Sequence, residues 1–455
     1  MYVVVVGTGK IGSVICREMA KEHEVIAIER NQVVLESLIN QADISGIAGS
    51  GVDYDTLVES GTPRADVFIA VTASDEINMI ACVLAKNLGA KYTIARVRDH
   101  EYNNHKEFMR ESVGIDAIIN PEDESAHQIM SLLRFPSATS VESFLGGKVN
   151  IAEYTLEPDS QLVGLTLMEF QQHFRKHVLV CIVERDGRAI IPNGSFVLAG
   201  GDVLHISGSS DEILSFYKQN TPKTLNMRPR SLMIIGGGRL THYLLQEIEA
   251  TNAHLRVKVL ENQLDRAQKL AALHPGCEVV LADGSNYKVL EEEGLESFDC
   301  FVALTGIDEE NLLISMYARK YGIERTIAKL SHPQFLAILG PNRPSATITT
   351  PNIIADTIIR LTRAVDNAAG KDVEALFRMI DNQVEALQIK VPEDARVIGI
   401  PLSELSLKDN ILIAAIFHNN KPVLPSGKDV LSAGDDIIIT TTHHGLRSID
   451  DILVR

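Results

Sequence analysis

No stretch of the 455-residue chain approaches the ~18 uninterrupted apolar residues that a membrane span requires, so direct membrane insertion is not expected. A signal peptide is not expected either, since residues 2–6 already read as a strand and the helix after it carries Lys10, Arg17, Glu18, Lys21 and Glu22. The expected location is therefore the cytoplasm. Cysteine is scarce. Cys16, Cys82, Cys181, Cys277 and Cys300 are odd in number, sit inside apolar segments and lack C-x-x-C spacing, so they read as reduced core residues rather than disulfides or zinc ligands. Positive charge is in deficit as well: with 60 acidic side chains against 43 basic ones, a formal charge of −17 repels nucleic acid and anionic lipid.

What is present is a pattern stated twice. The length calls for about three to four compact units. Up to residue 97, strands at 2–6, 24–29, 43–48, 66–71 and 92–97 alternate with helices at 10–22, 31–40, 53–60 and 75–89. Near-continuous Val, Ile and Ala runs separated by helices predict a parallel sheet covered on both faces. From Ser231 the order returns, with strands at 231–235, 255–260, 277–281, 299–304 and 325–329 and helices at 239–251, 262–272, 285–293 and 309–322. The segment "VFIAVTASDEINMIACVLAKNLGAKYTIARV" (67–97) lines up with "CFVALTGIDEENLLISMYARKYGIERTIAKL" (300–330), placing Asp75, Glu76 and Asn78 opposite Asp308, Glu309 and Asn311. Duplication of one domain explains this.

Each copy continues with a short strand and a proline suited to the first turn of a helix, in "AIINPEDESAHQIMSLLRFPSA" (117–138) and "ATITTPNIIADTIIRLTRAV" (346–365). The helices at 121–134 and 352–364 read as crossover or dimer elements or as ordinary core helices. Smaller strand-rich segments follow, in which "LVGLTLMEF" (162–170) matches "VIGIPLSEL" (397–405). Gly194 and Gly427 are expected in hairpin turns, and Gly201-Asp202 and Gly434-Asp435 at the entry to the last strand of each segment. The fold class is thus α/β: two Rossmann-like doubly wound parallel-sheet domains, each followed by a small α+β strand-rich domain. The expected boundaries are 1–138, 139–222, 223–368 and 369–455.

The chemistry concentrates at the two glycine turns. Gly7-Thr8-Gly9-Lys10-Ile11-Gly12 has dinucleotide-binding spacing between a strand and a helix: the first glycine permits the turn, the second lets backbone approach a pyrophosphate, and the third allows close helix–strand packing. The phosphates would rest on N–H groups at the start of the helix. Glu29, at the end of the second strand, is placed to accept from a ribose diol and to disfavour a 2′-phosphate, pointing to NAD or NADH. Arg30 beside it weakens that preference. The second copy reads Gly236-Gly237-Gly238-Arg239-Leu240-Thr241 with Glu261 in the place of Glu29. Because Thr241 replaces the packing glycine, this site reads as binding a related adenine nucleotide, or NAD with altered affinity, or as a degenerate structural copy.

Further residues fall at the carboxyl ends of strands three to five. Ser50, Thr72-Ala73, Asp283 and Thr305 read either as ligand contacts or as turn and cap residues. Arg96 and Lys329 end strand five, and Arg96 serves a phosphate or a charge network, or is an exposed cation. Asp75-Glu76 and Asp308-Glu309 sit in first helical turns, with Ser74 as a cap, and read as structural rather than catalytic. No metal-ligand set is read from the sequence, since His443-His444 lacks a third ligand at metal spacing and reads as solvated surface.

A dehydrogenase needs a second domain that presents substrate and an acid or base to the nicotinamide. Only ~80 residues of short strands follow each copy, small for that role, and no His-Asp or Tyr-Lys pair recurs in both copies. No catalytic residue is therefore assigned. The tandem glycine turns with Glu29, the block "AVTASDEINMIAC" and its partner "ALTGIDEENLLIS", and the two small domains resemble the TrkA family of peripheral regulatory subunits of Trk-type potassium uptake systems. The resemblance covers essentially the whole chain. It implies two RCK (KTN) domains, each followed by a TrkA C-terminal domain, assembled as a homo-oligomer (dimer or tetrameric ring) beneath a TrkH- or TrkG-like membrane channel, with NAD(H) and ATP or ADP gating ion flow. It implies ligand contacts at Gly7 to Ile11, Glu29, Thr72-Ala73 and Arg96, and at Gly236 to Leu240 and Glu261. An NAD-dependent oxidoreductase and a regulatory module of another cation transporter are the alternatives.

Overall fold

The computed structural model describes residues 1–99, 102, 105–135, 138, 140–173, 178–220, 229–251, 255–332, 343–367, 373–380, 383–418, 421–446 and 448–454. The boundaries expected at 138/139, 222/223 and 368/369 fall on or beside residues outside those described. The first copy runs β1 (Tyr2–Val6), α1 (Lys10–Met19), β2 (Glu24–Glu29), α2 (Gln32–Ile39), β3 (Ser45–Ala48), α3 (Tyr54–Glu59), β4 (Val67–Ala70), α4 (Asp75–Leu88), β5 (Tyr92–Arg96), α5 (Lys106–Val113), β6 (Ala117–Ile119) and α6 (Pro121–Arg134). Every strand and helix expected up to residue 97 forms, with ends moved by three residues or fewer. The helix α5 was not expected.

The six strands pair in parallel in the order β3-β2-β1-β4-β5-β6. Val3 to Val6 and Val67 to Ala70 are buried, as strands covered on both faces must be. The strand order reverses between β1 and β4, so a crevice opens at their carboxyl ends, where the first glycine turn lies.

Between the copies come β7 (Val141–Phe144), β8 (Val149–Thr155), α7 (Leu167–His173), β9 (Leu179–Arg185), β10 (Arg188–Ile190), β11 (Val203–Gly208) and α8 (Ser210–Asn220). The second copy follows as β12 (Ser231–Ile235), α9 (Arg239–Ala250), β13 (Arg256–Glu261), α10 (Leu264–Leu273), β14 (Glu278–Leu281), α11 (Tyr287–Glu292), β15 (Cys300–Ala303), α12 (Asp308–Lys320), β16 (Arg325–Leu330), β17 (Ala346–Thr349) and α13 (Thr350–Asn367). Its parallel order β14-β13-β12-β15-β16-β17 repeats that of the first copy. The chain ends with β18 (Val373–Met379), β19 (Val384–Lys390), β20 (Ile411–His418), β21 (Lys421–Val423) and β22 (Asp436–Thr441).

Contacts divide the chain by kind of domain, not by halves. Residues 1–130 and 230–362 form one compact unit holding both parallel sheets, and 131–229 and 363–455 form another. Within the first unit the copies are joined by α6 and α13: Ser125 Oγ donates to Thr350 Oγ1 at 3.2 Å, and Thr357 Oγ1 to Glu124 Oε2 at 3.3 Å. The two helices therefore serve as connecting elements between copies.

The second unit holds two five-stranded antiparallel sheets, ordered β10-β9-β11-β8-β7 and β18-β19-β22-β20-β21. They share an apolar cluster that includes Phe144, Ile182, Ala386 and Ile438. One sequence expectation fails here. Gly194 is not in a hairpin turn: β9 and β10 are joined by Asp186-Gly187, both at positive φ, the geometry a two-residue turn between right-twisting strands requires. Gly427 likewise follows β21 rather than turning into it. Gly201 and Gly434 do precede the strands as expected. The buried Asp202 beside Gly201 is held by Arg185 Nε at 2.7 Å and Nη2 at 2.8 Å. Four of the five thiols are buried, and burial pushes Cys16 and Cys181 up to about 12, so they remain protonated packing groups.

Candidate functional site

Gly7 turns the chain out of β1 at a φ of 90°, a left-handed conformation that L side chains rarely adopt. Its N–H donates to Ile28 O at 2.9 Å, closing the turn against β2. A Cβ on Gly12 would stand 1.9 Å from Gly7 O, so only glycine lets α1 pack this close to the turn. Gly9, the N-cap, has nothing within 4 Å of where a Cβ would be, and it brings no side-chain cap to the helix. Gly7 and Gly12 thus do the turning and packing jobs expected of them, and Gly9 leaves the start of the helix open.

Glu29 does something the sequence did not reveal. Its Oε2 accepts from the Thr8 N–H at 2.8 Å and the Thr8 hydroxyl at 3.1 Å, and its Oε1 from the Asn31 N–H at 3.0 Å. Burial alone raises its pKa, but these donors outweigh it and hold the carboxyl below its usual value. The expected ribose acceptor therefore also clamps the glycine turn to β2. Arg30 reaches across to Ser50, donating to its hydroxyl at 2.9 Å, so these two residues bridge the loops after β2 and β3.

The end of β4 is fixed by one buried amide. Asn78 Oδ1 accepts from the Thr72 N–H and hydroxyl, both at 2.7 Å, while its Nδ2 donates to Arg96 O at 2.8 Å and to Thr72 O at 3.2 Å. Thr72 thus has a structural partner whatever else it contacts. Arg96 is buried: Nη2 donates to Thr72 O at 2.7 Å, Nε has no hydrogen-bond partner, and burial, then the nearby Arg98, lower its pKa. It is a desolvated cation, not an exposed one. Arg98 adds a bond to Ala73 O and an ion pair with Asp75 at 3.6 Å. Asp75 Oδ2 accepts the N–H groups of Arg98 and Asp99 at 2.9 Å each, and Ser74 caps α4, so these residues are structural.

The second copy rebuilds the same scaffold. Gly236 turns at a φ of 100°. Glu261 Oε2 accepts the Gly237 N–H at 2.6 Å and Oε1 the Gln263 N–H at 2.8 Å. Asn311 repeats the role of Asn78, accepting from the Thr305 N–H at 2.9 Å and hydroxyl at 2.8 Å and donating to Lys329 O at 2.9 Å. Asp308 holds the N–H groups of Ser331 and His332 at 2.8 and 2.9 Å. Gly238 is as open as Gly9. At the departure from the motif, Thr241 is fully buried and its hydroxyl donates to Gly236 O, the carbonyl equivalent to the one a Cβ on Gly12 would strike. Asp283 holds the N–H and hydroxyl of Ser285 at 3.0 and 2.7 Å, a local turn.

The site residues gather around three cavities. The first, about 700 Å³, is lined by Gly7, Gly9, Lys10, Glu29, Thr72 and Arg96, with Ile11, Arg30 and Ala73 also on its wall. Thr8, Gly12 and Ser50 are not among its lining residues, whereas Ser331, Thr350 and Pro351 of the second copy are. The second, about 310 Å³, meets Gly236, Gly238, Glu261, Asp283 and Thr305. Gly237, Arg239 and Leu240 face instead a third cavity of about 520 Å³, with Arg98, Glu122 and Lys329. Glu122 and Lys329 line both the first and the third. Burial raises Glu122 and lowers Lys329, keeping each nearer neutrality.

Arg98 and Glu122 were missed by sequence reasoning. The alternation Arg96-Val97-Arg98 carried a signal, since it puts two cations on one side of an extended segment. Glu122 carried none, because an acid in the first turn of a helix reads as a response to the helix dipole. His443 and His444 are both exposed, in keeping with the solvated surface expected of them. His444 Nδ1 lies 3.3 Å from the buried Glu385, and His443 Nε2 lies 2.8 Å from Asp409 O.

Two doubly wound parallel sheets in one compact unit, each with a glycine turn at its switch point, define a tandem protein of the Rossmann-like class. The chain belongs to the TrkA family: residues 3–121 and 232–348 each match the TrkA-N domain, and residues 151–220 and 386–454 each match the TrkA-C domain. It is 27% identical over 460 residues to the Trk system potassium uptake protein TrkA homolog 2 of Methanosarcina mazei, covering 99% of this chain and 100% of that one. It is 26% identical over 445 residues to the Trk system potassium uptake protein TrkA of Haemophilus influenzae, covering 96% and 95%. Among solved structures it is similar to the GsuK channel bound to NAD, with a TM-score of 0.61 at 17% identity over 97% of this chain and 76% of that one. The crystal structure of the GsuK RCK domain gives 0.60 at 17% identity, covering 96% and 92%. At that identity the likeness concerns the fold.

Proposed function

We propose that this chain is the cytosolic nucleotide-binding regulatory subunit of a Trk potassium uptake system, and that NAD or NADH occupies the first cradle. The observation that carries the reading is the openness of Gly9 and Gly238, each with nothing within 4 Å of a Cβ position at the start of a helix. Backbone at both turns is free to meet a pyrophosphate, and the helix N-termini α1 and α9 favour its charge. The first site takes the dinucleotide through Gly7 to Ile11, with Thr72-Ala73 and Arg30 along the crevice. Glu29 exchanges its bond to Thr8 for the ribose diol, and Arg96, already desolvated, faces the phosphates. The second site, about 310 Å³ against about 700 Å³, is the smaller, and it takes ATP or ADP against Gly236, Glu261, Asp283 and Thr305.

A membrane partner of the TrkH or TrkG kind carries the ions. Relatives named as potassium uptake proteins match over nearly their full length, and no described helix is long and apolar enough to cross a membrane. The chain works as a homo-oligomer, a dimer or tetrameric ring, held at the inner face of the membrane by that partner. Because residues of the second copy line the first cavity, occupancy biases how the two copies sit against each other. A nucleotide that prefers one arrangement shifts the population by its differential affinity, commonly ~1–3 kcal/mol per coupled site. One that binds both arrangements equally shifts nothing.

The test is calorimetric titration of NAD, NADH, ATP and ADP into the purified chain, repeated with Gly9→Trp and Gly238→Trp. Gly9→Trp is expected to abolish NAD(H) binding and spare the second site, and Gly238→Trp to do the converse. A wild-type chain indifferent to all four ligands, or one that turns over NADH with a small carbonyl substrate unaided, overturns the reading.

A further inference from the structure

Asp123 and His127 lie one turn apart on α6, and α9 of the second copy brings Glu247 to them. His127 Nδ1 is 3.2 Å from Glu247 Oε1, and its Nε2 is 3.8 Å from Asp123 Oδ1. One ligand atom from each of the three residues lies within 4.8 Å of the others. The cluster stands outside the three cavities and outside every role assigned above.

Its scaffold is set without any ligand. Asn120 Oδ1 caps α6 by accepting the N–H groups of Glu122 and Asp123 at 2.9 and 3.1 Å. Asn120 Nδ2 donates to the hydroxyl of the buried Tyr243 at 2.8 Å, and Tyr243 sits on α9 one turn before Glu247. A buried side-chain bond thus fixes the spacing of the two helices next to the cluster, while the three side chains stay partly exposed, at 21% for Asp123, 53% for His127 and 27% for Glu247.

We propose that Asp123, His127 and Glu247 form a binding site for one divalent cation of the zinc, cobalt or nickel kind, with water completing the coordination. Two carboxylates around a neutral imidazole carry a formal charge of −2, which a divalent ion cancels. The imidazole selects a borderline transition metal over magnesium or calcium. Ligand atoms about 2.1 Å from a tetrahedral ion lie about 3.4 Å apart. Binding therefore draws the side chains inward by about an ångström and turns the imidazole so that one nitrogen meets the ion, movements that partly exposed side chains allow. The bound ion ties the connecting helix of the first copy to the second glycine turn's own helix, bracing the pairing of the copies.

The test uses the tag-free, chelator-stripped full chain. Cobalt(II) titration followed by its visible absorption is expected to show one site per chain, and zinc at a hundredfold over its Kd to raise the thermal midpoint by about 3–5 °C. His127→Ala and Glu247→Gln are each expected to weaken binding by at least about tenfold. A double variant of His443 and His444 to alanine should leave it unchanged. Asp123→Asn, which keeps the side-chain shape, serves should His127→Ala fail to fold. NAD(H) binding by the metal-free variants serves as a separate readout, so this proposal and the nucleotide reading fail independently. Wild-type chain that takes up no cobalt, or variants that bind it as tightly as wild type, overturn the site.

Discussion

Gly12 and Thr241 occupy the same place in two glycine turns that are otherwise built alike. In the first, a Cβ would stand 1.9 Å from the Gly7 carbonyl, and close packing of α1 on β1 depends on its absence. In the second, a side chain is present, and its hydroxyl bonds the matching carbonyl of Gly236. One copy satisfies the turn by removing atoms, the other by adding a donor. The clamps differ as well: Glu29 holds the Thr8 N–H and hydroxyl, whereas Glu261 holds the Gly237 N–H, where no side chain is present. A motif substitution that looks like decay in the sequence is thus an alternative way to close the same turn.

The sharpest way to break this comparison is Gly12→Thr. If the first turn truly lacks room, the variant loses about 3 kcal/mol in chemical denaturation and its NAD(H) binding falls with it. Unchanged melting and binding would mean that the two turns are interchangeable. Next in size are Asn78→Ala and Asn311→Ala, which strip the same bonds from the two copies. Each is expected to cost about 2 kcal/mol, and a large inequality would show that the copies do not depend on the amide alike. Thr241→Val keeps the shape and deletes the hydroxyl, for a loss of about 1 kcal/mol confined to the second copy.

The smallest effect is a pH dependence. The Glu29 carboxyl lies below its unfolded value, so its stabilisation is fully present above about pH 4.3 and disappears as pH falls through the lowered value. Glu29→Gln should flatten that part of the acid-unfolding curve. A curve of unchanged slope there would remove Glu29 as the clamp.

Much of the site was readable before any coordinates. The alternation of apolar runs gave both parallel sheets, because a strand covered on both faces has little freedom in its composition. The glycine spacing gave both turns, because their backbone geometry tolerates little else. What escaped was of two kinds. Gly194 was misassigned because a glycine before a strand-rich stretch resembles a hairpin turn, while the actual turn at Asp186-Gly187 lay eight residues earlier. Ser331 and Pro351 were invisible as site residues because they meet the first cavity through the pairing of two segments far apart in the chain.

The sequence by itself determined the duplicated fold, the two glycine turns and the buried state of four of the five thiols, since each follows from local periodicity or from a backbone geometry that one residue type satisfies. Only the tertiary structure decided that like domains pair with like, that Glu29 clamps the turn it was expected to serve, and that Asp123, His127 and Glu247 converge. Those outcomes depend on distances between groups remote in sequence, and such distances are set by packing and buried hydrogen bonds such as Asn120 to Tyr243.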